Sequence, residues 1–275
     1  MPEDKTMHHT PKGIQYHINC KKGDLARYLL VPGDPERVSR IAKHWNNAKQ
    51  VSSHREFRAF TGTYKGVEIS AVSSGIGPAA MSITVNEAAN TGVQTFIRVG
   101  SCGALQKNIN CGDLIISSAA VRLDGTSNCY VMPEYPAVAD YEVLLALVEA
   151  AESLGVKYHL GITVTASDFY AGQARPSGKG FMAPQCENLI QTLQEANVLN
   201  FEMETATLYV LCSLFGLKAG SVQAVFANRV TGKVKPFAGE ENCIKVANET
   251  VRILDSWNRK KKLKKKERLH PSLLG

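Results

Sequence analysis

Four short segments hold the side chains best suited to chemistry in this 275-residue sequence. In VPGDPERV (31–38) an apolar strand runs into a tight turn at Gly33, and Arg37 follows in the first helical turns. Gly33 lets the backbone approach a ligand closely, and Arg37 offers a planar fork suited to phosphate, although a solvated helix residue reads the same way. In FIRVGSCGAL (96–105) Arg98 interrupts an apolar strand ahead of Gly100-Ser101-Cys102-Gly103. A charge in a buried strand is costly unless paired. Two partners are open to Arg98: a carboxylate elsewhere in the chain, or a bound anion that the Ser101 hydroxyl and loop N–H groups would also hold.

The third segment is FYAGQAR (169–175), after a strand ending at Ala166. An aromatic face at Phe169 with Gln173 and Arg175 could stack on a planar base and hydrogen-bond its edge; the alternative is an ordinary polar loop. In the fourth, NFEME (200–204), acidic residues open an apolar helix. They either favour the helix dipole or grip a pair of adjacent sugar hydroxyls from a rigid platform. Residue chemistry alone therefore points to phosphate plus a planar ligand.

The elements that must position these residues alternate along the chain. Strands are expected at Leu25–Val31, Phe57–Tyr64, Val67–Ser73, Thr95–Val99, Leu114–Ala120, Leu160–Ala166 and Ala219–Ala227. Helices are expected from Pro35 to about His44, at Pro78–Thr91, Ala137–Leu154, Ala183–Ala196 and Met203–Phe215, and from Glu240 to about Asn258. Alternating strands and helices imply one α/β domain with a mixed central sheet covered on both faces. In such sheets ligands gather where strands end and helices begin. The expected organisation is an N-terminal extension over 1–16, a domain over 17–258 and a basic tail over 259–275.

The formal charge of +7 is concentrated in that tail: Arg259–Arg268 holds eight Lys or Arg and one Glu, leaving the body with 24 basic and 24 acidic residues. A neutral body argues against general polyanion binding. The tail lacks aromatic interleaving and a groove-reading motif, so it reads as a solvated, frayed extension of the last helix and not as a specific nucleic-acid module. Seven scattered Cys without a Cys-x-x-Cys pair read as reduced thiols, no clustered Cys/His set suggests a metal, and no run approaches a membrane span. The expected compartment is reducing cytosol.

Taken together, the segments resemble the nucleoside phosphorylase-I family from about His17 to Trp257. The match rests on VPGDPERV, SHREF (53–57), SSGIG (73–77), RVGSCGA (98–104), VRLDGTS (121–127), EYPAVAD (134–140), FYAGQAR, FEMET (201–205) and NR (228–229). The resemblance implies a sheet that is partly barrel-like and a phosphate-dependent, reversible cleavage of uridine to uracil and ribose 1-phosphate, with deoxyuridine or thymidine as further substrates. It implies that Gly33, Arg37, Arg98 and Ser101 hold phosphate and that Met203 and Glu204 hold ribose. Phe169, Gln173, Arg175 and Arg229 would serve the base. Arg55 and His17 would arrive from a neighbouring copy, at the phosphate and the 5′-hydroxyl, in a hexamer built of dimers. It implies no metal or organic cofactor; of the residues that hold an interfacial monovalent cation in some bacterial members, Glu56 and the Ile76 carbonyl match but Ala80 replaces a Ser. The rival readings are a purine nucleoside phosphorylase of the same fold, whose usual Asp is absent near Asn228-Arg229, and a non-catalytic scaffold or polyanion binder acting through its tail.

Overall fold

A computed structural model describes residues 13–274; residues 1–12 of the expected N-terminal extension lie outside the described residues. The strands are β1 (Tyr28–Val31), β2 (Asn46–His54), β3 (Phe57–Tyr64), β4 (Val67–Val72), β5 (Thr95–Ala104), β6 (Leu114–Leu123), β7 (Ala137–Val138), β8 (Tyr158–Ala166), β9 (Asn200–Glu202) and β10 (Lys218–Asn228). The helices are α1 (Pro35–Ala42), α2 (Pro78–Thr91), α3 (Tyr141–Ser153), α4 (Leu189–Glu195), α5 (Thr205–Leu214), α6 (Glu240–Leu263) and α7 (Pro271–Leu274). All strands join one mixed sheet in the order β10-β6-β8-β9-β5-β1-β4-β3-β2, with β7 on β6, and a further β10–β5 pairing closes five of them into a barrel. The β2–β3–β4 hairpins extend from the barrel as an antiparallel apron. No described helix is long and apolar enough to cross a membrane.

Apolar sequence runs explain the strands of the barrel. Phe96, Ile97 and Val99 of β5, Ile115 and Ile116 of β6, and Val222, Ala224 and Val225 of β10 are fully buried, as strands covered on both faces require. One core packs α3 and α6 against one face of the sheet, through Val143, Leu147, Ile244 and Val251. A second packs α2 and α5 against the other, through Met81, Val85, Leu208 and Leu211. Proline at the first helical position starts α1 and α2, and Asp34 and Asp140 cap α1 and α3 by accepting backbone N–H bonds.

Several expected boundaries move for physical reasons. Strand β2, NNAKQVSSH, shows no apolar alternation because it is an edge strand whose residues are mostly exposed. Helix α3 begins only at Tyr141: Ala137–Val138 pairs with β6, and Asp140 then caps the helix. Strand β5 runs on through Gly100-Ser101-Cys102-Gly103, which pairs with β10 along its length and so is not the loop the sequence suggests. Residues 200–202 form β9 between β5 and β8, and α5 starts later than expected, at Thr205.

The tail differs most. Helix α6 continues to Leu263, and Lys261 is buried with its ammonium on Glu142, at 2.8 and 2.6 Å. The chain then doubles back: the Leu269 N–H donates to Glu142 at 2.9 Å, the Tyr141 hydroxyl donates to the Leu269 carbonyl, and Leu269 and Leu273 are buried. The frayed extension read from its lysines is thus a docked clasp on the start of α3. Burial alone would raise the Glu142 carboxyl, but Lys218, Lys261 and the Leu269 N–H hold it down, to about 2.

A carboxyl with a depressed folded-state pKa stabilises the fold above its unfolded value and loses that contribution as pH falls through the folded one. The thermal midpoint should therefore fall between about pH 4.5 and pH 2 more steeply in the native protein than in Glu142→Gln. Lys261→Met leaves Glu142 buried with one ammonium fewer and should lower the midpoint at pH 7 by roughly 5–15 °C. Calorimetry across that pH range checks both.

Candidate active site

One cavity of about 890 Å³ opens where the barrel strands end and α1, α2 and α5 begin. Two glycine-containing turns close against each other at its rim. The Ser74 N–H donates to the Pro32 carbonyl and the Gly75 N–H to the Gly33 carbonyl, at 2.9 and 3.0 Å. A Cβ on Gly33 would stand 3.0 Å from the Gly75 oxygen, so part of what Gly33 permits is this loop-to-loop approach. Gly33 still lines the cavity.

Arg98 sits at the cavity floor on β5, where the carboxylate reading of its charge holds. Its Nε donates to Glu202 Oε2 at 2.9 Å and its Nη2 pairs with Glu204, whereas Nη1 is buried without a partner among the described residues. Burial opposes the charge, but Glu204 and Glu202 outweigh it and push the guanidinium pKa above its ordinary value. A buried, charged N–H without a partner is costly, and an anion bound within reach would satisfy it. Arg37 reaches the same cavity from α1: its Nε pairs with Glu240 at 2.8 Å and its Nη1 donates to the Val99 carbonyl, leaving Nη2 unengaged among the described residues. Ser101 lines the wall beside them.

Glu204 stands next to this cationic corner with Met203. Its Oε1 accepts from the Gly77 N–H at 2.6 Å, which ties it to the start of α2. Burial lifts its carboxyl above the ordinary range, against the pull of Arg98 and with the help of Glu202. Glu202 also lines the cavity, and the sequence reading does not single it out. Besides Arg98 it accepts the Thr165 hydroxyl, the Glu204 N–H at 2.8 Å and the Thr205 N–H at 2.9 Å. One carboxylate thereby caps α5 and aims both Arg98 and Glu204. The FEMET motif contains the signal, but that both of its glutamates turn inward onto Arg98 depends on the pairing of β9.

The opposite end of the cavity carries Phe169, Gln173 and Arg175, from a short 3-10 turn after β8. That turn is tied by the Gly172 N–H on Asp168, the Arg175 N–H on the Tyr170 carbonyl at 2.8 Å, and Ala174 in the left-handed region. Arg175 lies over the Phe169 ring, 4.3 Å from its centroid. Gln173 is largely buried in the cavity wall, and its side-chain amide is able both to donate and to accept. Arg229 stands one layer behind, against Gly103 and over the Phe201 ring, donating to the Ala174 carbonyl. Burial and the charge of Arg175 bring its pKa down to about 10; burial also lowers Arg175. Neither guanidinium has a carboxylate partner among the described residues. This end of the cavity therefore suits a planar ligand that accumulates negative charge.

Three expected site residues do not line this cavity: Arg229, set behind it, and Arg55 and His17. Arg55 is exposed at the β2–β3 turn, with φ +53° and its guanidinium 5.7 Å from the centre of the Tyr16 ring. His17 sits in the N-terminal segment beside α2, held by Glu87 at 2.6 Å. Neither completes the cavity of its own chain. Among the described residues, no group of His, Cys, Asp and Glu is arranged to hold a metal ion.

The fan of bonds on Glu202 yields a test: Glu202→Gln should keep its shape yet lower kcat/KM about 10²–10³-fold, because Arg98 loses one of its two anions and its aim. Steady-state assays beside a thermal melt distinguish this from unfolding; full activity would remove Glu202 from the site.

Among known proteins, the family described as the phosphorylase superfamily matches residues 27–256. A uridine phosphorylase of Thermococcus kodakarensis is 54% identical over 97% of this chain and 96% of its own, and one of Escherichia coli K12 is 39% identical over 88% and 99%. A guanosine phosphorylase of Halorubrum lacusprofundi is 34% identical over 86% of this chain and 93% of its own. With a family match over most of its length, and a cavity combining unpaired arginine N–H groups with a carboxylate platform and a base-sized polar end, the chain belongs to the phosphorylase superfamily.

Proposed function

We propose that this chain is a pentosyltransferase that uses inorganic phosphate to cleave uridine, reversibly, to uracil and ribose 1-phosphate. The observation that carries the reading is the layout of one cavity: Arg98 with a free Nη1 at one end, Gln173 with Arg175 at the other, and Glu204 between. The relatives bearing the name uridine phosphorylase, at 54% and 39% identity, agree with it.

The geometry supports a displacement at the anomeric carbon. Phosphate bound by Arg98, Arg37 and the Ser101 hydroxyl attacks from one face of the sugar. Glu204 accepts from the ribose hydroxyls while Met203 packs on the ring. The base departs from the other face, and Gln173 and Arg175 receive the charge that grows on it, with Phe169 against its plane and Arg229 reinforcing the field. A reaction of this kind exchanges one nucleophile for another, and prepositioned guanidinium and amide donors supply the charge stabilisation it needs. We therefore assign no organic cofactor and no catalytic metal; phosphate is a substrate.

Asn228 argues against the purine reading. Its Nδ2 donates to the Gln106 and Ile109 carbonyls at 2.9 and 2.8 Å, and its Oδ1 accepts from the Val230 and Thr231 N–H groups. A carboxyl here would face two carbonyl oxygens, so the position is built for an amide and is already committed to shaping the loop.

The same reading makes the site complete only in an oligomer. Arg55 and His17 of a second copy would meet the phosphate and the 5′-hydroxyl, in a hexamer of three dimers. Exposed Ile76, Tyr130 and Met132, on α2's approach and the loop packed on that helix, supply apolar surface for such a contact. All seven Cys carry free thiols, which fits a reducing cytosol.

In an absorbance assay with and without phosphate, uridine should be consumed only when phosphate is present, and inosine should persist. Gln173→Ala should lower kcat/KM for uridine roughly 10²-fold, and Arg98→Ala should lower it about 10³-fold. Cleavage of inosine or guanosine in preference to uridine would overturn the pyrimidine reading, and turnover without phosphate would replace the phosphorylase with a hydrolase.

A further inference from the structure

Helix α2 carries a carboxylate whose bonds all run to one distant residue and its neighbour. Glu87 accepts the His17 N–H at 2.9 and 3.1 Å, the Ile18 N–H at 2.8 Å and His17 Nδ1 at 2.6 Å. The two backbone N–H groups alone would anchor this segment to α2. The bond to the ring does something else. An ionised carboxylate only accepts, so Nδ1 must carry the proton, and in the neutral ring Nε2 is then left as a lone-pair acceptor.

The other contacts of the ring fix its plane without using Nε2. Tyr16 meets it edge-on with centroids 4.8 Å apart, and Phe57 does so at 6.0 Å. His54 Nδ1 donates to the His17 carbonyl at 3.0 Å, steadying the backbone from the β2 side. No bond to Nε2 is formed among the described residues, and the side chain keeps about a quarter of its exposure. A histidine gripped at Nδ1 by a carboxylate, packed by two rings and open at Nε2 is built to present one acceptor in one direction.

We propose that Glu87 is a positioning residue for the reaction: it fixes the tautomer and aim of His17, so that Nε2 accepts a hydrogen bond from a hydroxyl of the sugar. The proposal rests on the reading above in which His17 serves the site of a second copy. It adds that α2 has two tasks. Its N-terminal Gly77 N–H holds Glu204 in its own site, and Glu87 sets the histidine delivered to the neighbour.

The test compares uridine with 5′-deoxyuridine, which lacks the hydroxyl, in the full-length native assembly and in His17→Ala, Glu87→Gln and the double variant. The ratio of kcat/KM for uridine to that for 5′-deoxyuridine should fall about tenfold in each single variant, with the change mainly in KM, and no further in the double variant. Glu87→Asp keeps the charge but shortens the reach to Nδ1, and should show the same loss of discrimination if Glu87→Gln does not fold. Equal losses on both substrates in the Glu87 variants, with His17→Ala selective, would reduce Glu87 to a structural anchor and overturn the proposal alone. A His17→Ala variant that keeps the native ratio would overturn both the proposal and the placement of His17 at the sugar.

Discussion

The rest of the site depends on a buried ion cluster in which one guanidinium, Arg98, is shared by two carboxylates, Glu202 and Glu204. Three ionised groups out of water would be costly if left to themselves. The cluster persists because almost every remaining oxygen has a donor: Thr165, the Glu204 and Thr205 N–H groups for Glu202, and the Gly77 N–H for Glu204. Four elements, β5, β8, β9 and α5, must meet for this to happen, and the closure of β5 onto both β9 and β10 brings them together. One N–H of the cluster, at Arg98 Nη1, is left buried without a partner among the described residues.

Close packing of backbone around the cluster explains the glycines of β5. A Cβ on Gly100 would stand 3.0 Å from the Arg98 guanidinium carbon, and one on Gly103 would stand 3.2 Å from the Arg229 chain. The glycines that look like a turn in the sequence make room for two arginines alongside a continuous strand. The two ends of the cavity also differ in electrostatic style. Around Arg98 and Arg37 the guanidiniums are already paired with carboxylates, so they hold fixed positions. Around Arg175 and Arg229 no carboxylate among the described residues offsets the charge, so their field is uncompensated.

The C-terminal clasp repeats the same device away from the cavity. Glu142, at the start of α3, gathers Lys218 from β10, Lys261 from α6 and the Leu269 N–H from the returning tail. One carboxylate thus ties the outer helices to the barrel strand that leads to the Asn228 loop. The remaining lysines of the tail stay at the surface, outside the body that holds the cavity.

What the sequence by itself determined is the class of fold and much of the lining of the cavity. Apolar runs of strand length alternating with helices specify an α/β sheet. The VPGDP turn and the Pro-started helices specify where chain direction changes. Arg98 is conspicuous as a charge in an apolar strand, and Gln173 with Arg175 as polar groups following another. Tertiary structure alone decided the closing of the barrel, the inward turn of Glu202, the edge strand β2 and the docking of the tail. Each of these turns on a pairing between residues far apart in the chain, such as Glu202 with Arg98 or Lys261 with Glu142, and local periodicity carries no information about a distant partner.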